Sequence, residues 1–313
     1  MAAVTTPANS TIVLKSLRNS LRSIAMRTGF AVGSWLMPRA TLHRAFRLFG
    51  TPMPGAREKA LAADTLGARI EMLEHDGYRV ATYTWGDPAA QPLVLLAHGW
   101  SSYGLRFAPW IRALRQAGYA VITFDQLAHG RSSGKRATLP SFAETLFQVA
   151  RHYGPLAAVV GHSLGGAATM LALSRGMQAE RSVLIAPAAD PMAAGDRFGR
   201  AVGLAQSLRD HLFDEWEKRF QLPVASMQVH VNAPFIARPA LVVHDLEDRE
   251  VPWAEGERYA RYWPQARLLS TTGLGHHRIA AQPEVIADAL RFLAGETVGE
   301  RVVSSPNLPF GVA

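Results

Sequence analysis

From residue 92 onward the chain carries six short, continuous apolar runs, each closed by turn residues: PLVLLAHG, YAVITFD, AAVVGHS, RSVLIAP, ALVVHD and ARLLSTTG. A strand with one wet face alternates apolar and polar residues. Unbroken apolar runs of this length therefore belong to strands covered on both faces, as in a parallel sheet. Helical segments such as FAPWIRALRQAGY and SFAETLFQVARHYG separate most of the runs, which points to βαβ units with right-handed crossovers in an open sheet. Ahead of them, RIEMLEHDGYRVATYTWG reads as a hairpin turning at Asp76-Gly77, an antiparallel edge.

The chain of 313 residues, 48% hydrophobic, is long enough to bury a sizeable core. It has no cysteine, which removes disulfides, thiolate zinc sites and a cysteine nucleophile together. The net charge of +8 is unevenly placed. Eight of the 33 Lys and Arg residues lie in residues 1–57, which hold no Asp or Glu; the remaining 25 face 25 acidic residues. The body is neutral, so the basic balance gives no footprint for nucleic acid. Residues 1–60 read as a basic extension with two amphipathic stripes, Leu14, Leu17, Leu21, Ile24 and Ala25, then Leu42, Ala45, Phe46 and Phe49. TPMPG at 51–55 is a linker.

Residues 61–295 form the main domain. Nearly fifty residues between LIAPAAD and RPALVVHD are too many for a plain crossover and too apolar for a disordered loop. They suggest a helical cap inserted at about 191–237, and residues 296–313 read as a loosely ordered tail. The uncharged stretch TGFAVGSWLMP is about half of the ~20 residues a spanning helix needs, and its long charged lead does not suit a cleaved signal peptide. The expected location is cytoplasmic. Three readings of residues 1–57 stay open: peripheral contact with an anionic membrane, an organellar transit segment, or packing on the main domain.

In LAAVVGHSLGGAATMLALSRG a strand meets a helix at Ser163. A serine on so sharp a turn needs small residues two positions to either side, and Gly161 and Gly165 supply them. A serine hydroxyl becomes a nucleophile when a histidine takes its proton and a carboxylate orients that histidine. In this architecture the chain order is Ser, then Asp or Glu, then His. HDLEDREVP follows one later strand and GLGHHRI the next. Among the carboxylates Asp248 is favoured, on the loop ahead of a helix; Asp245 and Glu247 read as solvated loop residues. Of the two histidines, His276 follows Gly275 on the loop and is favoured over His277. His98-Gly99-Trp100 ends an early strand, where the Trp100 amide can pair with that of Leu164 as an oxyanion hole. His98 reads as structural.

HGW, FDQLAHGRSSG, GHSLGG, DLEDREVP and GLGHHRI, in this order, resemble the α/β-hydrolase superfamily, particularly its serine esterase and lipase-like members, over about residues 69–294. The resemblance implies an α/β-hydrolase fold with a mostly parallel eight-stranded sheet, helices on both faces and a small cap. It also implies a Ser163/Asp248/His276 triad and an oxyanion hole from Trp100 and Leu164. Ala128 stands where relatives often have glycine, and Asp125 reads as a brace for its loop. The expected partner is a small, hydrophobic ester, with no cofactor and no nucleic acid. Thioesterase, lysophospholipase, amidase, peptidase and acyltransferase chemistry share the acyl-serine step, and a non-catalytic binder on the same fold is a further reading. Metal hydrolysis through His244, Asp245 and Asp248 lacks a second cluster with metal spacing, and no metal is expected.

Overall fold

The computed structural model describes residues 8–302, with side chains from residue 20 onward except those of Glu215 and Arg219. Eight strands form one sheet: β1 (Arg69–His75), β2 (Tyr78–Trp85), β3 (Leu93–Ala97), β4 (Ala120–Phe124), β5 (Leu156–His162), β6 (Ala179–Ile185), β7 (Ala240–Asp245) and β8 (Ala266–Thr271). Their order is β1-β2-β4-β3-β5-β6-β7-β8. β2 runs antiparallel to both β1 and β4, and every pairing from β4 to β8 is parallel. All six apolar runs became strands, and β3, β4 and β7 are buried at every position.

The two-residue period of a strand divides those buried side chains between two faces. Val94, Leu96, Val160, Val183, Ile185, Leu241 and Val243 share a core with Trp110, Ile111 and Leu114 of helix Ala108–Gln116. Ile286, Ala289 and Phe292 of helix Pro283–Leu293 complete it. The alternate residues, among them Leu95, Val159, Leu184 and Val242, are equally buried and point to the opposite face. There helices Leu139–Tyr153 and Leu164–Ser174 pack on one another. This sheet belongs to a compact unit made of Gly50–Pro191 and the chain from Ala225 onward.

The helices through Phe49 form a second compact unit with Met192–Val224. An extension and an insertion that the sequence separates by more than a hundred residues thus share a core, and the insertion's remainder from Ala225 goes with the sheet. Within this second unit the Phe49 ring packs 5.1 Å from Phe198 and 5.6 Å from Phe213. The Arg27 guanidinium donates to the carbonyls of Arg200 and Ala201 at the end of helix Pro191–Val202. Gly203, at φ +81°, lets that chain approach Arg27; a Cβ there would stand 2.8 Å from the Arg27 carbonyl oxygen. The 41–49 stripe is the inward face of its helix, with Ala45 fully buried. The 12–26 stripe behaves differently: Leu21 and Ile24 are about 60% exposed, and the side chains of Leu14 and Leu17 lie outside the described residues. No helix among the described residues is long and apolar enough to cross a membrane.

The segment after Gly295 was expected to be loosely ordered, and its first part is not. Glu300 and Leu268 exchange two backbone hydrogen bonds of 2.7 Å, Arg267 donates to the Gly299 carbonyl, and Val298 is buried. β8 is an edge strand, and this bridge occupies part of its unpaired side. Residues 303–313 lie outside the described residues.

Candidate active site

Ser163 follows the last residue of β5 and precedes helix Leu164–Ser174. Its backbone sits at φ 54° and ψ −121°, a conformation that costs a non-glycine residue on the order of 1–3 kcal/mol. Its surroundings impose that turn. The Ser163 amide donates to the Ile185 carbonyl at 2.8 Å, while the helix crosses close over the strand ends. A Cβ on Gly165 would lie 2.2 Å from the Ala97 carbonyl oxygen, and one on Gly161 would lie 2.7 Å from the Gly165 oxygen. Only glycine fits at these two positions, which is the physical content of Gly-x-Ser-x-Gly.

The structure brings Ser163, His276 and Asp248 into one hydrogen-bonded chain. His276 Nδ1 donates to Asp248 Oδ2 at 2.7 Å, and His276 Nε2 lies 2.9 Å from Ser163 Oγ. With Nδ1 protonated toward a carboxylate, the Nε2 lone pair faces the hydroxyl proton. Asp248 is also held from its other oxygen, where Oδ1 accepts the amides of Glu250 and Val251. His244 Nε2 donates to the Val251 carbonyl at 2.9 Å and lies 3.5 Å from Asp248 Oδ2. Burial alone would raise the Asp248 carboxyl. The hydrogen bonds from His244, His276 and Val251 outweigh it and hold the group well below the usual carboxylate range. His277 points outward and pairs with Glu250 at 2.9 Å.

The Trp100 and Leu164 amides lie on the two chain segments that meet at the serine. Leu164 is the first residue of its helix, where amides lack an intrahelical acceptor. Among the described residues neither amide has a protein acceptor. The loop of residues 98–101 passes directly against Ser163; a Cβ on Gly99 would lie 2.9 Å from Ser163 Cβ. His98 fixes that loop. Its Nε2 accepts the Gln126 amide at 3.0 Å, so Nδ1 carries the proton and donates to the Gly99 carbonyl at 2.7 Å. In a trans peptide the carbonyl and the next N–H point opposite ways, so a held Gly99 carbonyl also aims the Trp100 N–H. The Trp100 ring packs edge-on against His129, 5.2 Å between centroids.

Three further parts of the arrangement carry little sequence signal. His129 Nε2 accepts the amide of Ser101, a residue at φ 51°, and its Nδ1 donates to the Leu127 carbonyl. His162 Nε2 donates to the carbonyl of His276 at 2.9 Å, tying the histidine loop to the strand that carries Ser163. Asp245, expected to be solvated, is fully buried. Its Oδ2 accepts Thr271 Oγ1 at 2.7 Å and the Leu274 amide at 3.0 Å, and Oδ1 accepts the Glu247 amide. The correction has a simple cause: β7 and β8 are neighbours, and the last residue of β7 faces the loop leaving β8. Against the rise that burial would bring, hydrogen bonds from Thr271, Gly275, Leu274 and Glu247 hold Asp245 below its ordinary value. Glu247 is exposed as expected.

Asp125 braces its loop, accepting Tyr83 Oη and the amides of Gly104 and Arg131. Ala128 takes the left-handed φ of 68° that glycine would adopt freely, and its amide donates to the Ser133 carbonyl.

Burial pushes His98 down to about 4, and it pushes both His129 and His162 down to about 3, with a neighbouring histidine adding to each of the latter two. In the unfolded chain these side chains protonate near 6.5. Between pH 6.5 and about 3 the unfolded state therefore binds protons that the folded state refuses, and stability falls as pH falls through that window. A melting-temperature series is expected to decline from near pH 6.5, above the carboxylate range; a flat profile between pH 7 and pH 5 would contradict this. Asp245→Asn places an amide donor against Thr271 or Leu274. It is expected to lower kcat roughly 10-fold or more while KM changes less, because it shifts the loop that carries His276. Parallel kinetics on the variant and the wild type check this.

The family model described as serine aminopeptidase, S33, matches residues 88–227. The monoacylglycerol lipase of Mycolicibacterium smegmatis is 33% identical over 99 residues, a stretch covering 29% of this chain and 35% of that protein, so the match spans about a third of its length. A hydrolase from Pseudomonas aeruginosa PA01 superposes with a TM-score of 0.58 at 21% identity, covering 73% of this chain and 99% of the other. A membrane phospholipase A described as a bacterial virulence factor superposes at 0.55 and 18% identity, covering 89% of this chain and 98% of the other. With the strand order already described, these likenesses show that the chain has the α/β-hydrolase fold, and its residues 88–227 match the serine aminopeptidase, S33, family model.

Proposed function

We propose that the protein is a serine hydrolase that cleaves hydrophobic carboxylic esters through an acyl-serine intermediate. The observation that carries this is the unbroken chain Asp248–His276–Ser163, at 2.7 and 2.9 Å, ending on a strained serine beside two amides without protein acceptors. In this reading Ser163 Oγ attacks the ester carbonyl carbon as its proton passes to His276 Nε2. Asp248 stabilises the imidazolium. The carbonyl oxygen becomes an oxyanion facing the Trp100 and Leu164 amides, which such a charge strengthens more than the neutral substrate does. Collapse breaks the ester C–O bond, His276 protonates the departing alkoxide, and the alcohol leaves. Water then repeats the sequence on the acyl-serine, its proton going to His276 and returning to Ser163. Thioester cleavage and acyl transfer use the same groups; the ester reading is preferred because one relative, 33% identical over 99 residues, is a monoacylglycerol lipase.

A lipophilic substrate fits the exposed face of helix Ala8–Leu36. Leu21, Ile24, Val32 and Trp35 follow helical spacing along one side, and Trp35 is 82% exposed. Residues 1–57 carry no acidic side chain. Apolar side chains flanked by arginines suit the boundary of an anionic membrane, where each cation contributes on the order of 1 kcal/mol. We take peripheral contact as part of the proposed function.

A fluorophosphonate probe is expected to label the wild type and not Ser163→Ala. His276→Ala should cut ester turnover by roughly 10⁴-fold, with His277→Ala close to wild type. Absence of labelling in folded protein, or equal labelling of Ser163→Ala, rules the mechanism out. For the membrane contact, sedimentation with phosphatidylglycerol vesicles should carry the full chain down at low salt and release it at high salt. Trp35→Glu should weaken it, and equal sedimentation with neutral phosphatidylcholine vesicles would count against the charge argument.

A further inference from the structure

The acyl-serine mechanism leaves the second histidine of the Gly-His-His turn unused. His277 is exposed, its Nε2 is 2.9 Å from Glu250 Oε1, and its ring stands edge-on to that of His276 with centroids 5.2 Å apart. Among the described residues, Glu250, His276 and His277 form the group of histidine and carboxylate side chains whose donor atoms all lie within 4.8 Å of one another. Two imidazole nitrogens and one carboxylate, with a coordination position left open, are the donor set of zinc. Calcium and magnesium prefer sets built of oxygen.

His276 is already prepared as a ligand. Its Nδ1–H is committed to Asp248, which fixes the tautomer and leaves the Nε2 lone pair facing the Ser163 hydroxyl at 2.9 Å. A carboxylate behind the ring in this manner is what orients and strengthens metal-binding histidines. Donor atoms on one tetrahedral zinc stand about 3.4 Å apart. The side chains that must close that gap, His277 and Glu250, are each more than half exposed and free to change rotamer. Ser163 Oγ needs only to rotate off Nε2.

We propose that Glu250, His276 and His277 form an inhibitory site for a zinc-like divalent cation, which silences the hydrolase by occupying the lone pair the general base uses. The inhibitory effect rests on the acyl-serine reading, whereas the cation site rests on the geometry alone. Their tests are accordingly separate. Zinc binding to the untagged, metal-free full-length chain is measured by competition with a chromophoric chelator, and the rate of fluorophosphonate labelling is followed in the same samples. Saturable binding is expected, weakened at least about tenfold in His277→Ala and in Glu250→Gln. Labelling of the wild type should slow as zinc binds, that of the two variants should slow only at correspondingly higher zinc, and Mg²⁺ should leave labelling unchanged. Equal zinc affinity in the wild type and both variants, or full occupancy with undiminished labelling, overturns the proposal. A chain that binds zinc in the His277-dependent manner yet never labels at Ser163 keeps the metal site and removes the acyl-serine reading instead.

Discussion

The close crossing of helix Leu164–Ser174 over the ends of β3 and β5 is the contact on which the site depends. With Gly165 against the Ala97 carbonyl and Gly161 against Gly165, the chain between strand and helix has one way to turn, and Ser163 takes a positive φ as a result. The same contact sets the Leu164 amide beside the serine oxygen and brings Gly99 against Ser163. The strain of the turn is held by burial on every side: β5 is central in the sheet, and the helix is buried along nearly its whole length.

Around that turn, neutral histidines do the holding. His98 aims the peptide of the 98–101 loop, His129 holds the next amide, and His162 grips the backbone of His276. His98 and His129 each use one donor and one acceptor nitrogen, a combination that a neutral imidazole supplies and a protonated one does not. His276 stands apart from the other three. It is backed by Asp248 at Nδ1, and its second nitrogen meets the Ser163 hydroxyl rather than the backbone.

The carboxylates divide in a parallel way. Asp248 orients His276, and Asp245, three residues earlier, ties the loop after β8 back to the end of β7. The two loops that bring Asp248 and His276 together are thus fastened to each other at two points. Asp125 does the same for the loop of residues 125–134.

The sequence by itself determined the sheet and the order in which Ser163, Asp248 and His276 follow its strand ends. Continuous apolar runs require strands buried on both faces, and the Gly-x-Ser-x-Gly spacing is a local steric rule that can be read without a partner. The positions of Asp248 and His276 were legible because each sits just past a strand end, and strand ends are visible in the pattern. Tertiary structure decided what depends on neighbours remote in the chain. Asp245 looks like any loop carboxylate until β8 lies beside β7, and His162 grips a carbonyl 114 residues away. The helices before Phe49 form one unit with Met192–Val224 through ring contacts that no periodicity encodes. Periodicity records which side of an element is buried, and hydrogen-bond partners are chosen only when the elements meet.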